Sequence, residues 1–232
     1  MAEVETRVRG GEHWMALEGG RDGSPRGRAW PSRFAAIGAY IPAPRLTTDQ
    51  LMATTRYETD IELERLTGVR ERHVVGRGDD SYTLALGAAR DALAHADFGA
   101  EDLDMLIVSS ISRHVGGVWR TQIEPPVSVS LKHALGASRA LSFDISNACA
   151  GMMTGVFLLN DFIRQGRIRR GMVVSGEYIS ELGRNAAQEV RDVMSDQLPS
   201  LTLGDAGAAA VLERAPDGDG GIDVAGFTTL SE

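Results

Sequence analysis

The chain has 232 residues, 43% hydrophobic positions and a formal net charge of −8. That length and composition suit one large globular domain or two small ones. The acidic balance and the lack of a basic block exclude nucleic acid as a predicted partner. A single cysteine, Cys149, excludes an intrachain disulfide framework and a cysteine-rich metal site. No apolar run reaches the roughly 18 residues of a membrane span, so we expect a cytoplasmic protein without a membrane partner.

The first 32 residues show no hydrophobic period. They mix both charges with glycine pairs and a Gly-Ser-Pro stretch, a composition typical of a flexible tail. We therefore predict a tail over 1–32 and a folded domain over 33–232.

Strand and helix signals alternate through the rest of the chain. A strand over 34–40 is followed by helices over 47–55, 60–66 and 81–95, and then by a continuous apolar strand over 105–110. Next come a helix over 126–135, a strand over 140–145, a helix over 148–164 and a strand over 172–177. A strand pair over 206–213 and 222–227 ends the pattern. This order predicts an α/β fold of βαβ units, with a mainly parallel sheet covered by helices.

Cys149 lies in the first turn of the predicted helix over 148–164, which follows the strand over 140–145. The unpaired amides and positive dipole end of a helix N-terminus stabilise a thiolate, and they can also face an oxyanion on an attacked carbonyl. The small neighbours Ala148, Ala150 and Gly151 leave room for an acyl chain. A lone cysteine can equally be a small buried hydrophobic residue, so this pattern alone leaves both interpretations open.

Four segments, in order, resemble the β-ketoacyl synthase III branch of the thiolase superfamily. They are residues 37–42, the Thr-Gly-Val-Arg-Glu-Arg-His run at 67–73, the nucleophile region at 143–152 and the Leu-Gly-Asp-Ala-Gly-Ala run at 203–208. The resemblance covers residues 34 to about 230. It implies a thiolase-like fold, an acyl thioester on Cys149 and a Claisen condensation in fatty acid or polyketide biosynthesis. It also implies a homodimer whose interface lies beside the nucleophile. No cofactor is implied, since the substrate is an acyl-CoA or an acyl-carrier-protein thioester.

Glu124 carries a finer resemblance. The Gln-Ile-Glu-Pro-Pro segment at 122–126 is similar to the glutamate loop of long-chain olefin-pathway condensing enzymes, which join two acyl-CoA molecules without decarboxylation. There the glutamate reaches over from the other subunit as the base that deprotonates the α-carbon. The alternative is a solvated carboxylate before a helix that starts with proline.

Two departures from the family pattern matter. Glu62 and Leu66 stand where the bacterial synthase has a Trp and an Arg that hold adenine, so we do not expect that style of carrier recognition. The family also duplicates its βαβαβ unit, and its second half supplies a His and an Asn to the catalytic group. All five histidines here precede Cys149, and none fits that role. We therefore expect an N-terminal half that needs its C-terminal half, on the same or a second polypeptide, giving a homodimer or a hetero-oligomer.

The sequence is also compatible with two other functions. The chain is either a non-catalytic or partner-dependent subunit of a synthase complex, or an acyltransferase whose acceptor is a hydroxyl or an amine.

Other polar features have simpler interpretations. His114 follows a strand and is interpreted as a loop residue, and His95 as a helix-end residue that favours the dipole. Arg167, Arg169 and Arg170 form either a solvated helix end or a contact for an acidic carrier protein or a CoA phosphate. The Gly204–Gly207 turn precedes a strand and lacks the Lys-Ser/Thr ending, so it is not a phosphate loop.

Overall fold

A computed structural model describes residues 30–115 and 121–216. It contains seven strands: β1 (Ser32–Tyr40), β2 (Arg45–Thr47), β3 (Glu71–His73), β4 (Met105–Val108), β5 (Leu141–Asp144), β6 (Arg170–Glu177) and β7 (Ala206–Arg214). Five of them form one sheet in the order β1-β7-β6-β4-β5, and β2 pairs with β3. The α-helices are α1 (Thr48–Met52), α2 (Leu63–Thr67), α3 (Ser81–Ala94), α4 (Val127–Leu135), α5 (Gly151–Arg164) and α6 (Ser180–Glu189).

Strand direction confirms the predicted α/β fold with a mainly parallel sheet. β4 pairs in parallel with both β5 and β6. β7 pairs antiparallel with β6 and with β1. Four strands of the large sheet therefore point the same way and β7 alone is reversed. The first residue of β7, Ala206, pairs with Glu177 at the carboxyl end of β6, so β7 runs in the direction opposite to β6.

Helices cover both faces of this sheet. On one face, α3 and α4 pack on a cluster that includes Leu106, Val108, Val174 and Val211. On the other face, α5 packs on Ile107, Val173 and Leu212. Helix α3 lies very close to β1, because a Cβ at Gly38 would be only 2.1 Å from the Ala92 nitrogen. Glycine in the strand and alanine in the helix therefore set this interlayer distance.

The predicted elements are confirmed with shifted ends. β1 begins at Ser32, two residues early, and the Trp30 amide donates to the Arg164 carbonyl at 3.1 Å, so the predicted tail does not extend to residue 32. The rest of that tail and the predicted strand over 222–227 lie outside the described residues. The predicted helices over 47–55 and 60–66 are shorter, at Thr48–Met52 and Leu63–Thr67.

The sequence did not predict α6 or the β2–β3 pair. Most residues of α6 are good helix formers, but its buried positions are the small residues Ser180, Gly183, Ala186 and Ala187, so it carries no stripe of large apolar side chains that would mark it as a packed helix. β2 and β3 have three residues each, too few to display an alternating pattern. Tertiary contacts decide both.

Across the two described ranges, no helix is both long enough and apolar enough to cross a bilayer.

Asp205 joins three segments at the carboxyl end of the sheet. Its side chain is 2% exposed and accepts four hydrogen bonds: from the amides of Ile179 and Ser180 at 2.7 Å, from the Ser180 hydroxyl at 2.6 Å and from the Val75 amide at 2.8 Å. It thus caps the start of α6 and ties that start to β7 and to the chain after β3. The Asp205 side chain is buried, and β7 follows directly after this turn.

We predict that Asp205→Asn lowers the free energy of unfolding by about 2–3 kcal/mol, because an amide nitrogen replaces an acceptor that faces buried donors. Urea denaturation measures the change. The matched control is Asp196→Asn, at an exposed position, which we expect to cost less than about 0.5 kcal/mol. Equal midpoints for the two variants would contradict this role for Asp205.

Candidate active site

The candidate site lies at the carboxyl edge of the parallel strands. Val108, the last residue of β4, pairs with Asp144 of β5 and with Val174 of β6. The segments that follow these strands therefore emerge side by side, and they carry Cys149, residues 109–115 and Tyr178. In open α/β sheets this edge is where ligands bind.

A strained turn presents Cys149. Residues Ala148–Ala150 form a single 3-10 turn, and Ala148 has φ of 41°, in the left-handed region that costs an alanine roughly 1–2 kcal/mol. Cys149 is exposed. The predicted helix over 148–164 is therefore corrected: α5 begins only at Gly151, and Cys149 lies in the turn just before it. Strain of this kind is often found at functional positions.

Side-chain hydrogen bonds brace this turn. The Asn147 amide nitrogen donates to the Thr154 hydroxyl at 2.8 Å, and that hydroxyl donates to the Ala150 carbonyl at 2.9 Å. The Ala150 amide donates to the Asn147 carbonyl at 3.0 Å. These bonds tie Asn147, two residues before Cys149, to the first turn of α5.

Gly151 fixes the distance between this turn and β4. A Cβ at Gly151 would lie 2.9 Å from the Ser109 carbonyl oxygen and 3.3 Å from the Ser109 Cβ. Ser109 directly follows β4. Only glycine therefore allows the start of α5 to approach the chain that leaves the neighbouring strand.

The start of α5 has no side-chain cap. Among the residues that the structure describes, no side chain accepts from its first amides, and the positive end of the helix dipole points toward the turn that holds Cys149. These amides can serve as donors for an oxyanion that forms when the Cys149 sulfur attacks a carbonyl.

Glu124 lies on a different loop and is exposed. The loop leaves β4, and its two arms pair where the Gln122 amide donates to the Arg113 carbonyl at 2.7 Å. Within the described residues, no hydrogen bond or ion pair engages the Glu124 carboxylate, and none joins it to Cys149. The preceding residue, Ile123, is exposed too, at 73%. The structure therefore does not bring the two predicted site residues into contact within one chain.

Three further residues near the edge were not identified from the sequence. Asp144 accepts from the amides of Val127 at 3.3 Å and Ser128 at 3.0 Å and so caps α4. The Arg113 guanidinium donates to the Ile145 carbonyl at 3.3 Å, and its Nε is 3.9 Å from an Asp144 oxygen. Glu177 holds the chain after β4. Asp144 and Glu177 each end a parallel strand, and that position is the signal that would have found them.

His114 is packed in the loop, as predicted. It is 5% exposed, its amide donates to the Ser81 hydroxyl at 3.2 Å, and its ring meets the Tyr178 ring edge-on at 5.8 Å. Burial, and after it the carboxylate of Glu181, raise the pKa of the Tyr178 phenol. That phenol therefore stays protonated at neutral pH and donates to Glu181 at 3.4 Å. His95 caps α3, with Nδ1 2.8 Å from the Asp91 carbonyl oxygen.

The arginine cluster lies at the opposite edge of the sheet. Arg170 begins β6, pairs with Glu213 at 3.4 Å and Asp102 at 3.8 Å, and stacks on Phe98. Arg167 lies over the Phe162 ring. These contacts favour the interpretation as a helix end. The position at the opposite edge of the sheet places the cluster away from Cys149.

The segment that would hold adenine in the family has a different chemistry here. Glu62 pairs with Arg65 at 2.7 Å, and Leu66 is 53% exposed. They lie on or beside α2, next to a groove of about 610 Å³ between α1 and α2. No aromatic residue lines this groove, so a base cannot stack there as it would on a Trp.

In the part of the chain that the structure describes, no group of three or more His, Cys, Asp or Glu side chains is placed to hold a metal ion.

Comparisons with known proteins agree with the resemblance. The family model of 3-oxoacyl-[acyl-carrier-protein] synthase III matches residues 143–231. Among curated relatives, the β-ketoacyl-[acyl-carrier-protein] synthase III of Rhodospirillum centenum is 31% identical over 192 residues, which is 83% of this chain and 54% of that protein. The Bacillus pumilus synthase III is 32% identical over 184 residues, 79% of this chain and 54% of the relative. The chain thus spans about half the length of the curated relatives it matches.

Solved structures share the fold. The priming β-ketosynthase of the R1128 polyketide pathway has a TM-score of 0.65 at 26% identity and covers 83% of this chain and 53% of its own. Cerulenin-bound OleA of Xanthomonas campestris has a TM-score of 0.68 at 24% identity, with 80% and 57% covered.

We predict opposite stability effects for glycine on the two sides of Cys149. Ala150 is right-handed, so Ala150→Gly lowers the free energy of unfolding by about 0.5–1 kcal/mol. Ala148→Gly relieves the left-handed strain and is expected to be neutral or stabilising by up to about 1 kcal/mol. Urea denaturation of the two variants makes the comparison. A loss for Ala148→Gly as large as that for Ala150→Gly would show that the turn is not strained.

Proposed function

Because this chain belongs to the β-ketoacyl synthase III-like condensing enzymes of the thiolase superfamily, we propose that it is an acyltransferase that forms an acyl thioester on Cys149 and performs a Claisen condensation. One observation carries the assignment of the nucleophile: an exposed cysteine in a strained turn directly before an uncapped helix N-terminus, at the carboxyl edge of parallel strands. The substrate is the thioester of CoA or of acyl carrier protein.

The first step is acyl transfer. The Cys149 thiolate attacks the thioester carbonyl, and the first amides of α5 stabilise the oxyanion of the tetrahedral intermediate. That intermediate collapses with cleavage of the carrier C–S bond. The carrier leaves as a thiolate and takes up a proton, and the acyl group remains on Cys149.

The second step forms the carbon–carbon bond. We assign Glu124 as the base that removes the α-proton of a second acyl thioester, without loss of carbon dioxide. The resulting carbanion attacks the acyl-Cys149 carbonyl, a β-ketoacyl thioester is released, and Cys149 leaves as the thiolate. The Glu124 proton then returns to solvent.

The base acts in trans within a dimer. Support comes from the position of Glu124: its carboxylate is exposed, engages no described residue and is flanked by the exposed Ile123 and Pro125. An exposed carboxylate on the segment between β4 and α4 suits a site on a second copy better than one beneath its own sheet.

The proposed enzyme includes a C-terminal half, with residues 33–232 as the N-terminal domain. Support comes from the coverage of the relatives and from apolar side chains left exposed on the α5 side, where Met153 is 60% and Ile37 66% exposed. A contiguous apolar surface on this side would mark the contact with a partner surface. The second half would supply the proton donor that no histidine of this chain supplies. A reactive thiolate also suits the reducing cytoplasm, where we place the reaction.

We predict that a long-chain acyl-CoA adds one acyl group to the protein, seen by intact mass, and that peptide mapping locates it on Cys149. The matched control is Cys149→Ala, which should stay unmodified. The protein is purified with any chain that binds it. If the wild-type protein stays unmodified, the result would contradict the enzymatic proposal and support a non-catalytic subunit. If the adduct yields an ester or amide and no β-ketoacyl thioester, the result would support acyl transfer to a hydroxyl or amine.

We predict that Glu124→Ala slows condensation by about 10²–10⁴-fold while Cys149 is still acylated at the normal rate, because a general base is lost only from the second step. Separate assays of acyl-enzyme formation and of β-ketoacyl product make the comparison. Normal condensation by Glu124→Ala would remove Glu124 from the mechanism.

Mixing two inactive variants tests the trans arrangement. Subunits of Cys149→Ala and Glu124→Ala, exchanged at equal amounts, should recover about a quarter of the wild-type rate, because half of the dimers are mixed and each has one complete site. If the base acts within its own chain, the mixture stays inactive.

A further inference from the structure

Glu177 is the last residue of β6, and its carboxylate is saturated by donors. Oε1 accepts from the Ile111 amide at 2.7 Å and the Ser175 hydroxyl at 3.0 Å, and Oε2 accepts from the Ser112 amide at 2.9 Å and the Ser112 hydroxyl at 2.6 Å. Every partner donates, and two are backbone amides that cannot reverse. An ionised carboxylate, which only accepts, is therefore the matching group.

These bonds fix the chain just where it leaves β4. The Ser112 hydroxyl also accepts from the Tyr178 amide at 2.9 Å and from the Ser81 hydroxyl at 3.1 Å. The Ser81 hydroxyl in turn accepts from the His114 amide. Residues 111–114 are thus held to the ends of β6 and α3 by one hydrogen-bond network.

The same residues form the base of the loop that carries Glu124. Its returning arm is tied to the outgoing arm by the Gln122–Arg113 hydrogen bond and by the bridge between His114 and Thr121. The Gln122 side chain donates to the Pro125 carbonyl at 2.9 Å. Beyond Glu124, Asp144 holds the loop's other end at the first amides of α4.

We propose that Glu177 is a positioning residue for Glu124, with Asp144 as the second anchor of the same loop. This inference rests on the proposed function, in which Glu124 removes the α-proton. An exposed loop has no contact at its functional residue to hold it, so its geometry must come from its two ends. Placement matters because an error of about 1 Å in a reacting group can cost on the order of 10²-fold in rate.

The decisive variant is Glu177→Gln, which places an amide NH₂ against a backbone amide or a hydroxyl that needs an acceptor. We expect condensation to slow by about 10- to 100-fold. Acylation of Cys149 should change by less than about twofold, because the turn that holds Cys149 is braced by its own bonds to Thr154. The matched control is Glu189→Gln, at an exposed position on α6, which should alter neither step.

A double variant separates positioning from general damage. In the Glu124→Ala background, Glu177→Gln should reduce condensation no further, because the loop no longer carries a base. Ser112→Ala keeps both backbone amides on Glu177 and removes the hydroxyl that donates to Glu177 and accepts from Tyr178 and Ser81, so it should give the same pattern. It provides the test if Glu177→Gln does not fold.

The outcomes are distinguishable. Equal losses in acylation and condensation would overturn the positioning role and leave the proposed function intact. The same holds if the condensation rate of the double variant falls by the product of the two single-variant losses. An unchanged rate for Glu177→Gln and Ser112→Ala would do the same. Normal condensation by Glu124→Ala would overturn both the base assignment and this inference. No acyl adduct on wild-type Cys149 would overturn the proposed function itself.

Discussion

The contact between Gly151 and the Ser109 carbonyl decides where the reactive residues lie. It brings the start of α5 against the chain that leaves β4, at a distance that no side chain larger than hydrogen allows. Cys149 is the second residue before this contact, and the loop of Glu124 begins shortly after Ser109. One close approach of two backbones therefore sets the origin of both segments that carry the proposed catalytic residues. The strain at Ala148 is tolerated because the surrounding bonds fix the turn.

Carboxylates at this edge divide into two groups. Asp205, Glu177 and Asp144 each accept backbone amides and hold loops and helix ends in place. Glu124 accepts none from the residues that the structure describes. A carboxylate whose oxygens are occupied by fixed donors of its own chain is not free to approach a substrate. A carboxylate without such partners remains available for a proton, which is why chemistry is assigned to Glu124 and geometry to the others.

Much of this fold follows from the sequence, because its strands and longer helices carry strong local signals. The continuous apolar run at 105–110 and the stripe at 81–95 specify a buried strand and a packed helix without outside help. The resemblance over four ordered segments then identified the family and singled out Cys149. Local chemistry also fixes two helix starts, because Thr47 and Asp80 each form the capping box that starts α1 and α3.

Other features depend on contacts between distant residues. The sequence placed Cys149 inside a helix, and only the three-dimensional packing of Gly151 on Ser109 shows the separate 3-10 turn before it. The roles of Glu177 and Asp144 arise from loops more than fifteen residues away in the chain, which no local pattern encodes. The position of α6 likewise depends on distant residues, because Asp205 caps its start and buried contacts hold its small residues.

We propose that the acyl group on Cys149 is the intermediate that condenses. Rapid-quench mass spectrometry of a single turnover tests it directly, by following the acyl-Cys149 adduct and the β-ketoacyl thioester in the same samples. We expect the adduct to form first and to decay at the rate at which the product appears. Product that forms before the adduct, or an adduct that decays only to free fatty acid, would contradict it.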